Sequence, residues 1–416
     1  MNQELFTQAL HIEEPWFIED IQFNNEKRRL DIDINFRAGS RFQYTDPKTE
    51  ESGEYPVHDT TRKSWQHLNF FEHTCYINAR VPRIKTESGK VRLIRTPWEG
   101  LNSGFTQLFE ALLLQLASSM TVNELSRLTG ISNYRLWNLI RMYVDSTLDT
   151  ADYASVEAVG VDETSAKKGH NYLTLFVDLK TRKVIFITKG KSHETIGRFC
   201  CDLVDHKGKP SKIKHVCCDM SPAFIKGIVE NFESASVTFD KFHVIKLIND
   251  AVDQVRREEA KSETVLKKKR YALLKNQCNL TLREKRQIEE LELSKINLKT
   301  MRAYRIRNSF QMIYEAKTVE DFSLLLKKWY FWATHSRLKP IIKVAKTIKK
   351  HWDGIVNWVD SKINNGILEG LNSIVQTAKN QSRGFKTFEY FRLIIFLKLG
   401  KLDFSSLNQY YQSTRF

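Results

Sequence analysis

Five short apolar runs between Ser155 and Val244 constrain this chain most, because their order admits few architectures. SVEAVGVDE, NYLTLFVDL, KVIFITKGK, IKHVCCD and SVTFDKFHV each read as a strand. A turn at Lys180–Lys183 joins the second and third. HETIGRFCCDLVDH, capped by Ser192, and PAFIKGIVENF read as helices. Three strands, a helix, a strand, a helix and a strand describe an α/β sheet whose functional groups gather at strand ends.

Two aspartates fall at such ends: Asp162 in VGVDE and Asp219 in HVCCDMSP. Carboxylates on neighbouring strands can share a divalent ion, and oxygen donors suit Mg²⁺, with Mn²⁺ as the alternative. Glu369 lies in KINNGILEGLNSIVQTAKNQ, where Leu368, Leu371, Val375 and Ala378 form the apolar stripe of a helix. Asn365, Glu369, Asn372, Ser373 and Gln376 form the opposite face, which either turns to the strand ends or meets solvent. Glu163, Asp178 and Asp240 compete for ligand roles, Asp178 most strongly because it falls inside an apolar strand. His243, where the fifth strand meets a helix, is either structural or a contact to phosphate or a ligand carboxylate; with Asp240 it is carried as an accessory residue. Metal ions held by these oxygens suit in-line phosphodiester chemistry with no covalent intermediate. The order of elements is that of a ribonuclease-H-like domain. The near-continuous helical stretch from about residue 244 to 360, with KKKRYALLK and SLLLKKWYFWATH, reads as an insertion into that domain, its charges mostly on a solvated face.

Lys and Arg outnumber Asp and Glu by 65 to 49, a formal charge of +16. A chain this basic suits a polyanionic partner, with nucleic acid first, because phosphate neutralisation releases counterions. No apolar run approaches the ~18 residues of a membrane span, and the acidic start MNQELFTQALHIEEPW is unlike a signal peptide. The six cysteines contain no C-x-x-C pair, which suits a reducing cytoplasm and, for a DNA partner, the nucleoid. His58, His67, His73 and Cys75 match no structural zinc spacing, and no zinc is expected. In RRLDIDINF, Leu30, Ile32, Ile34 and Phe36 alternate with Asp31, Asp33 and Asn35, a half-buried strand with which WFIEDIQFN can pair. HLNFFEHTCYINARV and KVRLIRTPW extend this β-rich region, and YTDPKTEESGEYP reads as a loop. GFTQLFEALLLQLASS then reads as a helix. Thr121 with Glu124 forms a capping box, Gly130 and Ser132 a tight turn, and Leu136, Ile140 and Val144 the inner face of a second helix. This is the shape of a helix-turn-helix that turns Asn133, Tyr134, Arg135, Asn138 and Arg141 to DNA; an αα-hairpin packed for structural reasons is the alternative.

VHDTTRKSWQHLNFFEHTCYINARVPRIK, PWEGLNSGFTQLFEALL, VGVDETSAKKGHNYLTLFVDL, CCDMSPAFIKGI, TFDKFHVIKLINDAVDQVR, SRLKP and SKINNGILEGLNSIVQTAK with RGFKTFEYF, in this order, resemble the ISL-three family of bacterial insertion-sequence transposases. The resemblance runs from about residue 40 to residue 402. It implies a DDE transposase whose catalytic and metal-binding triad is Asp162, Asp219 and Glu369, and it selects Glu369 where spacing alone left its role open. It also implies cleavage at terminal inverted repeats, strand transfer to target DNA, and at least a homodimer in the synaptic complex. The expected architecture is multidomain α/β: a zinc-ribbon-like β-rich domain at 1–100, a helix-turn-helix at 101–150, a ribonuclease-H-like core begun at 151–250, a helical insertion at 251–360 gripping DNA backbone, and a catalytic helix and core end at 361–416. One departure stands out. FQYTDPKTEESGEYPVHD and RIKTESGKVRL lack the cysteines with which the family binds zinc in its N-terminal domain, so zinc is not carried over. The alternative function is a DNA-binding protein without chemistry, a regulator or relic occupying the same repeats.

Overall fold

The computed structural model describes residues 3–46, 52–101, 104–167, 171–293, 297–361 and 366–411, with the backbone alone at 166, 167, 171, 366 and 369. The chain divides into two units, Met1–Thr150 with Phe396–Phe416, and Ala151–Ile395.

In the first unit the alternation of RRLDIDINF produces the expected strand. Leu30, Ile32 and Ile34 are buried, while Asp31, Asp33 and Asn35 stay partly exposed. Helix α1 (Gln3–Ala9) precedes strands β1 (Trp16–Asn24), β2 (Arg29–Phe36), β3 (Arg41–Thr45), β4 (Ser52–Gln66), β5 (Thr74–Lys85) and β6 (Val91–Leu93). Their order is β1-β2-β5-β4-β3, with β6 on β5; β2 and β5 run parallel and the other pairs antiparallel. Two elements depart from the sequence reading. Helix α1 buries only Phe6 and so has no apolar stripe to betray it. Strand β4 includes Gly53–Pro56, read as loop, because pairing with β3 holds a mostly polar segment extended. Cys75 lies in the core of this sheet, where burial pushes its thiol up to about 12. His67 is half-buried, its Nδ1 2.8 Å from Thr106 Oγ1, and desolvation pushes it down to about 4.

Helices α2 (Gln107–Ser119), α3 (Val122–Thr129) and α4 (Asn133–Leu148) follow. Thr121 and Glu124 form the expected capping box at the start of α3. Gly130 ends α3 at φ 70°, a left-handed conformation that favours glycine, and the Ser132 hydroxyl caps α4. Leu136, Leu139, Ile140, Tyr143 and Val144 form the buried face of α4. Beneath it, the buried Glu110 carboxylate accepts from the Tyr143 hydroxyl at 2.6 Å and from the Leu101 N–H at 2.8 Å. Asn408 donates to the Tyr143 oxygen at 2.9 Å, so the closing segment of the chain belongs to this cluster. The sequence reading had assigned residues 361–416 to the end of the α/β core; 396–416 instead group with the first unit.

The second unit holds β7 (Ala158–Lys167), β8 (Asn171–Asp178), β9 (Lys183–Lys189), α5 (Glu194–Asp205), β10 (His215–Cys218), α6 (Pro222–Asn231), β11 (Ser236–Phe239) and α7 (Lys241–Glu259). The sheet order is β11-β10-β7-β8-β9. β7, β8 and β9 are antiparallel neighbours, while β10 runs parallel to both β7 and β11. Ser192 does not cap α5 with its side chain; its carbonyl accepts from Thr195 instead. After α7 come α8 (Arg270–Leu274), α9 (Leu282–Leu293), α10 (Lys299–Ile313), α11 (Val319–Thr334), α12 (Lys339–Lys350), α13 (Trp352–Val356) and α14 (Trp358–Ser361). α7 packs on α10 and α12, and α11 packs on the same two. Then α15 (Gly366–Gln381) and α16 (Phe388–Leu399) complete the chain's helices among the described residues. No described helix is long and apolar enough to cross a membrane.

Tyr143→Phe leaves the buried Glu110 carboxylate short of a donor, which costs about 1–3 kcal/mol. Urea unfolding of the full chain checks this: the midpoint should fall, and an unchanged midpoint would show that the cluster adds no stability.

Candidate active site

Register brings the two aspartates together. In the β10–β7 ladder Cys217 pairs with Gly160, and continued for two residues the ladder sets Asp219 beside Asp162. Cys218 likewise pairs with Phe239, so Asp240 falls beside Asp219, and its N–H donates to the Cys218 carbonyl at 3.0 Å. Parallel strands lie ~4.8 Å apart, so three carboxylates share one edge level. Cys218 sits among them; burial, the neighbouring Cys217 and then Asp219, Asp162 and Asp240 push its thiol well up. Asp162 does not end its strand as the sequence suggested. β7 runs on to Lys167, and it is the β10 ladder that stops at Gly160.

Helix α15 lies along β7. Leu368 covers Gly160, where an added Cβ would stand 3.0 Å from its methyl carbons and 2.9 Å from Leu179. The Asn372 amide donates to Asp162 Oδ2, Gln376 to Thr164 Oγ1 at 2.5 Å, and Lys379 Nζ to the Ser165 carbonyl at 2.6 Å. The rises match: Leu368 to Gln376 advances ~12 Å along a helix, and Gly160 to Thr164 ~13 Å along a strand. Asn372 and Gln376 of the polar face thus meet the sheet, while Ser373 is exposed. Glu369 is on this helix, one residue after Leu368 and three before Asn372, with its side chain outside the described residues. Asn365 lies outside them altogether.

Asp162 also accepts from the Glu163 N–H at 2.7 Å, yet burial outweighs these bonds and pushes its carboxyl up to about 6. Asn372 Oδ1 is buried beside it with no hydrogen-bond partner among the described residues. Asp219 Oδ1 accepts from the Ser221 N–H at 2.9 Å and so ties the start of α6 to the site. Asp240 Oδ1 caps α7 through the Phe242 N–H at 2.8 Å, while its Oδ2 lies 2.9 Å from His243 Nδ1. That bond, more than the nearby carboxylates, holds the imidazole above its ordinary value.

The structure does not bring Asp178 into this group. It pairs with Val159, three residues before Asp162, and binds the turn into β9 through the Lys180 N–H at 3.0 Å and the Thr181 hydroxyl at 2.5 Å. Glu163 faces Lys191 at 3.8 Å. Among the described residues no three His, Cys, Asp or Glu side chains close around a single point; Glu369 is not among the side chains described.

With this geometry in hand, comparison with known proteins is decisive. Residues 159–395 match the ISL3-type DDE transposase family, and residues 94–144 match the helix-turn-helix domain of transposase family ISL3. This chain belongs to the ISL3 family of transposases. Similar proteins include the transposase for insertion sequence element IS1001 of Bordetella parapertussis, 26% identical over 348 residues that cover 82% of this chain and 85% of that protein. The transposase for insertion sequence element IS1557 of Mycobacterium tuberculosis is 23% identical over 417 residues, 93% of each chain. An ISL3 transposase is a nucleic-acid-processing enzyme, and its helix-turn-helix implies DNA binding.

In that helix-turn-helix, α3 and α4 are joined through Asn133, whose amide donates to Asn123 Oδ1 at 2.9 Å. Tyr134 is exposed, and Arg141 donates to Asn138 Oδ1 at 3.3 Å. Arg135 departs from the outward placement read from sequence. Its guanidinium stacks on Phe105, 3.9 Å from the ring centre, and it donates to the Gly104 carbonyl at 3.4 Å. The residue that sequence reasoning left without a role is Asn372. Its signal was its place on the face of α15 that carries Glu369, but a polar helix face ordinarily means solvent.

Gly160→Val would drive a branched side chain into Leu368 and Leu179, and overpacking of this kind costs about 1–3 kcal/mol. The unfolding midpoint of the full chain should fall accordingly; parental stability would show that α15 does not rest on this strand.

Proposed function

We propose that the chain is an active DDE transposase that binds the terminal inverted repeats of its element and carries out metal-dependent strand cleavage and strand transfer. The observation that carries this reading is the alignment of Asp162 and Asp219 across adjacent parallel strands, with α15 laid against the first of them. The sheet order, three antiparallel strands followed by two parallel ones, supports a ribonuclease-H-like core. On this reading the helices from α8 to α14 are an insertion between that core and its catalytic helix, the strands before residue 101 form a metal-free end-binding domain, and the helix-turn-helix follows at 101–150.

The residues fit a hard divalent cation. Asp162 is a carboxylate whose charged form burial disfavours, and Asn372 Oδ1 beside it is an oxygen without a donor among the described residues. A cation at that point offsets the desolvation and is met by oxygens alone. Asp162, Asp219 and Glu369 would hold Mg²⁺, or Mn²⁺ in its place. Bound there, the metal would supply activation of a water or 3′-hydroxyl nucleophile and stabilisation of the leaving oxygen. The chain's own part is orientation. Asn372 fixes the Asp162 carboxylate, the Ser221 N–H fixes Asp219, and Asp240 fixes His243 at the edge of the site. Asn133, Tyr134, Asn138 and Arg141 are assigned to DNA at the transposon end. Arg135 is assigned to holding α4 on Phe105. Pairing of two ends requires a homodimer or larger assembly on DNA.

The test is cleavage of a labelled duplex carrying the inverted repeats that flank the gene, in Mg²⁺. Asp219→Asn should keep duplex binding and lose cleavage by more than ~100-fold, since partners of metal ligands alone are worth 10–100-fold. Binding without metal-dependent nicking would leave the DNA-binding reading standing and remove the enzyme. Nicking that survives Asp219→Asn would remove the carboxylate assignment.

Asn372→Ala should raise the Mg²⁺ concentration for half-maximal cleavage by about 10-fold or more, with excess metal restoring much of the rate. An unchanged metal requirement would show that the amide does not orient Asp162.

A further inference from the structure

From Phe322 to Trp352 the chain carries eight Lys and Arg residues and no Asp or Glu. This acid-free stretch takes in α11 from Phe322 onward, the turn after it, and α12. On α12, Lys339, Lys343, Lys346 and Lys350 recur at i, i+4, i+7 and i+11, which places them on one face of a helix. All four are exposed, while Pro340, Ile341, Ala345 and Ile348 are buried. None of the four has a carboxylate partner among the described ion pairs. Several cations elsewhere in the helical stretch are tied down: Lys269 to Glu290, Lys275 to Glu284, and Arg256, Arg257 and Arg270 to Asp253. Like charges one turn apart destabilise a helix, so this face is held together by the packing of α12 on α7 and α11 and not by its own charges.

We propose that the outward face of α12 is a docking surface for the phosphate backbone of duplex DNA, contacted by Lys339, Lys343, Lys346 and Lys350. The stripe extends ~16 Å at 1.5 Å per residue, about five steps along a strand whose phosphates rise 3.4 Å each. The chemistry of the face selects this partner. It presents ammonium groups alone, without the aromatic anchors at which protein interfaces concentrate their affinity and from which lysine is depleted. A membrane-surface helix needs a free apolar face, and that of α12 is already buried against its neighbours. Four point charges with no base-reading fork give contact without sequence preference. The inference rests on the transposase reading and adds to it a named, sequence-independent grip on a segment other than the helix-turn-helix.

The experiment measures affinity of the full chain for a duplex of unrelated sequence as a function of salt. The quadruple variant K339Q/K343Q/K346Q/K350Q should bind ~10-fold or more weakly at low salt. The slope of log K against log salt should shrink by about 2 to 4, since each phosphate contact contributes ~0.9. The same four positions as Arg should keep the parental slope. A control, K261Q/R283Q/K285Q/R286Q, removes equal charge from exposed positions on and before α9 and should change the slope by less than ~1. A parental slope in the α12 variant, or an equal loss in the control, overturns the proposal and leaves the transposase reading intact. A parent that binds no duplex overturns both. Binding to phosphatidylserine vesicles that the α12 variant loses, with DNA affinity unchanged, would assign the stripe to lipid instead.

Discussion

The seating of α15 on β7 is the contact on which the candidate site depends. Asp162 and Asn372 are separated by 210 positions, and their hydrogen bond is the one described link that fixes the Asp162 carboxylate from outside its own strand. The seating needs a strand residue without a side chain, and Gly160 supplies it; Leu368 fills the space a Cβ would take. Once that contact is made, the equality of helix and strand rise carries the next three contacts into register without further adjustment. The backbone at residue 369, next after Leu368 on this helix, runs along the same stretch of strand.

The arrangement is costly when empty of cations. Aspartates on one sheet level repel one another, and burial, with the Asp240 charge adding to it, lifts the Asp162 carboxyl to about 6. Part of the cost is met locally by backbone N–H groups from Glu163, Ser221 and Phe242, each donating to the carboxylate just before it in the chain. Such bonds favour the charged form, but at Asp162 they do not overcome desolvation. On the proposed reading, a divalent cation beside this raised carboxyl and an amide oxygen without a donor among the described residues would offset the desolvation.

Much of this was legible in the sequence, for reasons that differ from element to element. Leu30, Ile32 and Ile34 declare their strand because one face is buried and the other is not. Thr121 and Glu124 declare their helix start because two unpaired N–H groups need just those acceptors. The aspartates were found from the apolar runs before them, although Asp162 lies within a strand that outlasts its apolar half. What failed were inferences that depend on the partner of a polar residue. Asp178 resembled a ligand and closes a turn; Arg135 resembled a DNA contact and stacks on Phe105. Asn372 was left open between solvent and the strand ends, and it holds Asp162. Hydrophobic period reveals which side of an element is buried. A polar side chain's partner is set by which other segment arrives there, and no local pattern encodes that.

The same limit applies to charge, and it explains why an acidic centre and a basic chain belong together. Carboxylates at the strand ends repel a polyanion, so a DNA-processing site of this kind needs attraction from elsewhere on the molecule. Net charge alone does not provide it at a distance, because the Debye length is ~8 Å at physiological ionic strength. Attraction must come from cations that meet the backbone directly. Cations already paired with Asp or Glu are weak candidates, since their field is largely cancelled at that range. That criterion discounts the Arg residues around Asp253 and the lysines tied to Glu284 and Glu290. It retains the acid-free face of α12, where a run of lysines stands outward on a helix that other helices hold in place.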